Sequence, residues 1–95
     1  MLDISELKDT VIEFRSTTCG LCRKMAPLVN KLFNGTDVSF LEIFVDDEDE
    51  EDNMELAESL NVSSLPTFIH IVEGKRVGEA VGFHSLEEMK QLLLL

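Results

Sequence analysis

The chain of 95 residues has no tryptophan and no tyrosine, and six phenylalanines are its entire aromatic content. Intrinsic tryptophan or tyrosine fluorescence is therefore closed to it as a readout. Cations are scarce: 8 Lys and Arg stand against 19 Asp and Glu, a formal net charge of −11. That balance repels nucleic-acid phosphate and anionic membrane surfaces, so neither nucleic acid nor a membrane is an expected partner. No apolar stretch nears the roughly 18 residues that a membrane span requires. The opening Met1-Leu2-Asp3-Ile4-Ser5-Glu6 has neither the basic nor the apolar region of a signal peptide, and the cytoplasm is the expected location. With 44% apolar and 28% charged residues, the composition is that of one ordinary globular domain over residues 1–95, too short for a second core.

Cysteine is equally sparse. Two cannot staple a disulfide-rich scaffold, and a closed zinc site takes about four ligands. The remaining soft donors, His70 and His84, lie more than 45 positions downstream, and neither is assigned a role. What distinguishes the two cysteines is their spacing in Thr18-Cys19-Gly20-Leu21-Cys22.

Apolar periodicity and turn signals place this segment. A capping box at Asp3-Ile4-Ser5-Glu6 predicts a short helix from Ile4 to Lys8. Val11 to Phe14 reads as a strand interrupted by Glu13, and Cys22 to Asn34 as a helix carrying Met25, Leu28, Val29, Leu32 and Phe33, with Asn34-Gly35 as a left-handed stop. Pro27 lies inside that helix. Val38 to Val45 is a second strand. Asn53 is expected to cap a helix ending near Asn61, and Thr67 to Val72 and Arg76 to Val81 form a hairpin about Glu73-Gly74-Lys75. Ser85-Leu86-Glu87-Glu88 is a second capping box, opening a helix with Leu86, Met89, Leu92 and Leu93 on one face, and the Leu92 to Leu95 tail reads as its buried end. The order α-β-α-β-α-β-β-α implies one parallel strand pair and one antiparallel hairpin. It predicts an α/β domain with helices on both faces of a mixed sheet.

The cysteine pair thus falls between a strand and a helix. The free amides and positive partial charge of a helix N-terminus stabilise a thiolate, and two intervening residues bring the sulfurs within reach of a reversible disulfide. Cys19 at the exposed mouth is the expected nucleophile, and Cys22 the thiol that resolves the mixed disulfide. A structural pair, or a metal shared between two chains, is the alternative reading.

Four landmarks in order make a resemblance specific. Cys19-Gly20-Leu21-Cys22-Arg23-Lys24-Met25-Ala26-Pro27, Ser64-Leu65-Pro66-Thr67-Phe68, Gly74-Lys75 and Val81-Gly82 resemble the active-site segment, the cis-proline loop and the following glycines of the thioredoxin family. The resemblance runs nearly from Val11 to Leu93. It implies the thioredoxin-like fold, a cis bond before Pro66, and a substrate groove bounded by Thr18, Gly20, Leu21, Leu65, Pro66 and Gly82. It implies an enzyme that exchanges a Cys19–Cys22 dithiol with protein disulfides, as a reductant, with no bound cofactor beyond its own redox-active disulfide. A thioredoxin reductase-like protein or glutathione would be the electron donor, and a monomer is expected. A non-catalytic docking module is the alternative, as is a glutathione-dependent role in which Arg15, Arg23 and Lys24 would line the groove.

The chain departs from the family at several positions. Thr18 replaces the tryptophan that normally precedes the first cysteine, and Arg15 stands where an aromatic is common. Leu21 lies where thioredoxins often have proline. Glu13 occupies the place of the family's buried aspartate, which takes the resolving thiol's proton, and Glu42 that of the lysine that partners it. The two glutamates would meet without a cation, or Glu42 would face water. Fewer residues precede the pair than in full-length members, so four strands are expected, with the Val38 to Val45 strand at an edge open to pairing. Finally, seven consecutive acids, Asp46 to Asp52, are expected at the active-site end of the sheet. They read as a solvated, mobile loop or as a selector of basic partners.

Overall fold

The computed structural model describes residues 2–95. It opens with a 3-10 turn at Ile4–Glu6, capped by the Asp3 carboxylate, followed by strand β1 (Asp9–Arg15), helix α1 (Gly20–Phe33) and strand β2 (Ser39–Phe44). Helix α2 (Asp52–Ser59), strands β3 (Thr67–Val72) and β4 (Lys75–Val81), and helix α3 (Leu86–Leu93) complete the chain. Among the described residues, the strands form one sheet in the order β2-β1-β3-β4. The β1–β2 pair is parallel and the other two pairs are antiparallel. The thioredoxin-like α/β sandwich and the edge position of β2 follow the expectation.

Side-chain alternation along β1 divides the core. Val11 packs with Met25, Val29 and Leu32 of α1 and Met89 and Leu93 of α3. Ile12 and Phe14 point the other way, onto Leu56 and Ala57 of α2. Glu13 and Arg15 therefore share the face covered by α1 and α3. On that same face His70, 4% exposed, ties two elements. Its Nδ1–H donates to the Leu93 carbonyl at 2.6 Å, and its Nε2 lies 2.7 Å from Asp9 Oδ1.

Several boundaries differ from the sequence reading, each for a local reason. The first helix is only a 3-10 turn, because Leu7 and Lys8 lend their carbonyls to the hairpin at Gly74 and Glu73. β1 extends beyond Val11 to Phe14 at both ends, since Asp9 pairs with Val72, and Arg15 with Phe44. Helix α1 starts at Gly20 rather than Cys22 and ends on Asn34 in the right-handed region, so Asn34-Gly35 is no left-handed stop. That device is used instead after α2, where Asn61 has φ 60° and Val62 N–H returns to the Ala57 carbonyl at 2.9 Å. Asn53 does not cap α2. Glu51 holds the cap position without a side-chain bond, while Asn53 Nδ2 donates to the Phe44 carbonyl. The capping box of Ser85 and Glu88 forms as read. The terminal leucines are not buried as a set: Leu93 is, whereas Leu92 and Leu94 are exposed.

Candidate functional site

The site is assembled where β1 ends. The chain leaves Arg15, crosses Ser16, Thr17 and Thr18, and enters α1 with Cys19 as its N-cap. A thiol is an unusual capping group, yet its sulfur accepts from the Cys22 N–H at 3.1 Å. The first turn of the helix thus directs an amide, and the positive end of its dipole, at the sulfur that would carry negative charge on reduction. Cys22 lies one turn on, fully buried, with its Cα 5.3 Å from that of Cys19, and the two sulfurs are bonded. Cys19 is half-buried while Thr18, Gly20 and Leu21 are exposed beside it. This accessibility sorts the sulfurs into an outer and an inner one.

The loop before Cys19 is held from two sides. Arg23 Nη1 donates to the Thr17 carbonyl at 3.0 Å. Asp46, at the end of β2, accepts from the Thr17 N–H at 3.1 Å and from its hydroxyl. These bonds hold the Asp46 carboxyl below the usual carboxylate range. The acidic run is thus at the active-site end, as expected, but not as a free loop. Its first residue is anchored, Asp47 accepts from the Asp49 N–H at 2.9 Å, and Asp52 already belongs to α2.

The Leu65–Pro66 peptide is cis. Pro66 is buried, Leu65 is half-buried, and the Pro66 carbonyl accepts from the Gly82 N–H at 2.9 Å. Leu65, Pro66 and Gly82 are therefore one unit, with Gly82 at φ 81°, a conformation that favours glycine. Next to it Phe83 is exposed, and Lys24 of α1 lies over its ring at 5.4 Å. Phe83 escaped the sequence reading, although an apolar ring directly after the rim glycine was a signal for it.

On the face of β1 covered by α1, Glu13 is 1% exposed, and neither carboxyl oxygen has a hydrogen-bond partner in the fold. Burial pushes the carboxyl up to about 7, Arg15 opposes that rise, and Glu42 adds to it. The expectation of two glutamates without a cation is overturned. Glu13 and Glu42 are register partners, but the Arg15 guanidinium lies 2.8 Å from Glu42 and 3.9 Å from Glu13. Glu42 keeps one side to water, as the other reading had it. These three side chains, with Ala26, Val29 and Asn30 of α1, line a cleft of about 200 Å³. Arg15 is missed by column-wise comparison with the family, because its cation sits on the neighbouring strand. The two-residue alternation of β1 was the signal that places it beside Glu13. Among the described residues no group of three His, Cys, Asp or Glu side chains could hold a metal ion, and no helix is long and apolar enough to cross a membrane.

A half-exposed sulfur capping a helix, a buried sulfur one turn on and a cis-proline loop bound to a glycine rim define a thioredoxin-fold dithiol site. The chain belongs to the thioredoxin family, whose sequence profile matches residues 3–94. It is 34% identical over 82 residues to human thioredoxin, covering 85% of this chain and 73% of that protein. A TPR repeat-containing thioredoxin of Arabidopsis thaliana is 38% identical over 73 residues. That match covers 76% of this chain but only 18% of the plant protein's length. Among solved structures, reduced Schistosoma mansoni thioredoxin pre-protein superposes with a TM-score of 0.75 at 34% identity, over 92% of this chain and 77% of that one. Membership and the paired cysteines together support thiol–disulfide oxidoreduction as the general chemistry.

Proposed function

We propose that the chain reduces protein disulfides through Cys19 and Cys22. The observation that carries this reading is the placement of Cys19 as helix cap, with the Cys22 amide on its sulfur. Reduced Cys19, as thiolate, attacks one sulfur of the substrate disulfide; a mixed disulfide forms and one substrate thiolate leaves. Glu13 then takes the proton of Cys22. The Cys22 thiolate attacks Cys19 Sγ, the second substrate thiolate leaves, and the Cys19–Cys22 bond closes. Two electrons have passed to the substrate. A reductase-like protein or glutathione returns them.

Leu21, Thr18 and the Leu65–Gly82 unit form the surface that an extended substrate would meet. Acids 48–51 beside it favour substrates with basic residues near the disulfide. The glutathione-dependent alternative loses support, because the cations it needs are engaged elsewhere: Arg15 with Glu42, Arg23 with Thr17, and Lys24 on Phe83.

The test is a glutathione redox titration of the pair, read as mass shift after thiol alkylation, since there is no tryptophan to report it. A potential near about −270 mV is expected for a protein reductant. A value above about −200 mV would reverse the direction of flux, and failure to form the bond would leave a docking or metal-binding module.

A further inference from the structure

The strand that carries Glu13 supplies a second charged residue to the same cleft. Arg15 has its guanidinium between two carboxylates, 2.8 Å from Glu42 on the edge strand and 3.9 Å from Glu13. The three side chains form a gradient from interior to water: Glu13 is 1% exposed, Arg15 13% and Glu42 44%. Phe44 holds the guanidinium from the side, 5.0 Å from its ring centre. Arg15 Nε and both oxygens of Glu13 are buried without a hydrogen-bond partner, so a donor and two acceptors that lack partners border one small cleft.

We propose that Arg15 is a positioning residue for the exchange reaction: pinned by Glu42 on the edge strand, its guanidinium is the counter-ion that keeps the Glu13 carboxyl able to ionise in the cleft between β1 and α1. Two carboxylates compete for one guanidinium. Without Glu42, Arg15 would close on Glu13 and hold it permanently as carboxylate, a poor acceptor for a thiol proton. Without Arg15, burial and the Glu42 charge would keep Glu13 protonated, with no capacity to accept one. The bond to Glu42 draws the guanidinium to an intermediate distance.

The other neighbours do not supply this charge. From α1, the cleft is lined by Ala26, Val29 and Asn30, while Arg23 and Lys24 are engaged with Thr17 and Phe83. From β3, Phe68 stands opposite Glu13, and His70, two residues along, has both ring nitrogens committed to Leu93 and Asp9. From α3, Met89 and Leu93 are apolar. The role in turnover rests on the reading of Glu13 as proton acceptor for Cys22; the electrostatic arrangement itself does not.

The test follows the Glu13 side-chain carboxyl by carbon-13 NMR across pH, beside the pH profile of disulfide reduction. Arg15→Gln is expected to raise the Glu13 midpoint by about one pH unit or more and to move the alkaline-rising limb of the rate profile with it. Glu42→Gln is expected to lower the midpoint, because a like charge is removed and Arg15 is released toward Glu13. Arg15→Lys should keep most of the wild-type value. Shifts of opposite sign in the two neutral variants are something that a merely structural role would not produce.

An unmoved midpoint in Arg15→Gln, or shifts of the same sign in both, overturns the inference. If Arg15→Gln does not fold, the partly exposed Glu42→Gln still decides by its sign. Glu13→Gln separates the two layers. If it leaves the rate profile unchanged, Glu13 accepts no proton and Arg15 has no role in turnover. If it removes the limb while Arg15→Gln leaves the midpoint in place, Glu13 keeps its role and only the inference about Arg15 falls.

Discussion

Replacing Glu13 with glutamine should stabilise the protein at alkaline pH and not at acid pH. The carboxyl moves from an ordinary 4.5 to about 7 in the folded chain, chiefly through burial. An acid whose folded value lies above its unfolded one binds its proton more tightly when folded. Its neutral form is thus accommodated below about pH 4.5, and stability is lost as pH rises from there through 7. At about 1.4 kcal/mol per pKa unit, the full loss above pH 7 is roughly 3 kcal/mol. The side chain is 1% exposed, so solvent screening takes little from that figure. Glutamine has the same shape and no charge to bury. In urea unfolding of the oxidised protein, the variant and the wild type should agree within about 1 kcal/mol at pH 5, allowing for one buried amide. At pH 8 the variant should be more stable by about 2–3 kcal/mol, or roughly 10–20 °C in Tm for a domain of this size. The acidic surface, at net −11, also titrates, but equally in both proteins, and cancels in the difference. Equal pH dependence in the two would refute the account of Glu13 as a buried, proton-binding group.

Two further substitutions probe how α3 is seated. A Cβ at Gly78 would lie 2.7 Å from the Leu92 carbonyl oxygen and 3.0 Å from Leu93 backbone atoms, and backbone cannot yield as a side chain can. Gly78→Ala should therefore cost about 1–3 kcal/mol, and an unchanged urea midpoint would mean that the helix end does not rest on β4. Ser85→Ala removes the half of the capping box in which the Ser85 hydroxyl accepts from the Glu88 N–H at 3.2 Å, and leaves the Ser85 N–H to donate to the Glu88 carboxylate. A loss of about 1 kcal/mol is expected, and the midpoint shift should leave the urea m-value unchanged.

The fold was legible because its signals are periodic or stereochemical. Met25, Val29 and Leu32 repeat at helical spacing and all three are buried, and Ser85 and Glu88 form the capping box that their spacing requires. The Cys19–Cys22 pair was legible from its spacing at a helix start, whereas the cis Leu65–Pro66 bond was legible only through the family resemblance, since an X–Pro dipeptide alone does not fix its isomer. What failed depended on competition between partners far apart in sequence. Asn53 has the chemistry of a cap but spends its amide on Phe44, at the end of β2. Leu92 and Leu94 look like core residues, yet both are exposed, and Leu94 stands in a left-handed turn that ends α3. The Arg15 ion pair joins residues 27 positions apart, and only the parallel register of β1 with β2 brings them face to face.

The same register decides how the acidic run must be interpreted. Because β1 and β2 are parallel, Thr17 and Asp46 follow their strands at the same edge and meet, and the Asp46 carboxylate takes both the amide and the hydroxyl of Thr17. Arg23 takes the Thr17 carbonyl from the helix side. Thr17 is thus the tether of the loop that presents Cys19, and Asp46 is part of that tether rather than a free charge facing a partner. Any electrostatic choice of substrate falls to residues 48–51, which are exposed. Neutralising the whole run would mix a loosened Cys19 loop with a lost field. Neutralising 48–51 with Asp46 kept isolates the field, whose signature is a salt-dependent change in association rate with the sulfur chemistry intact.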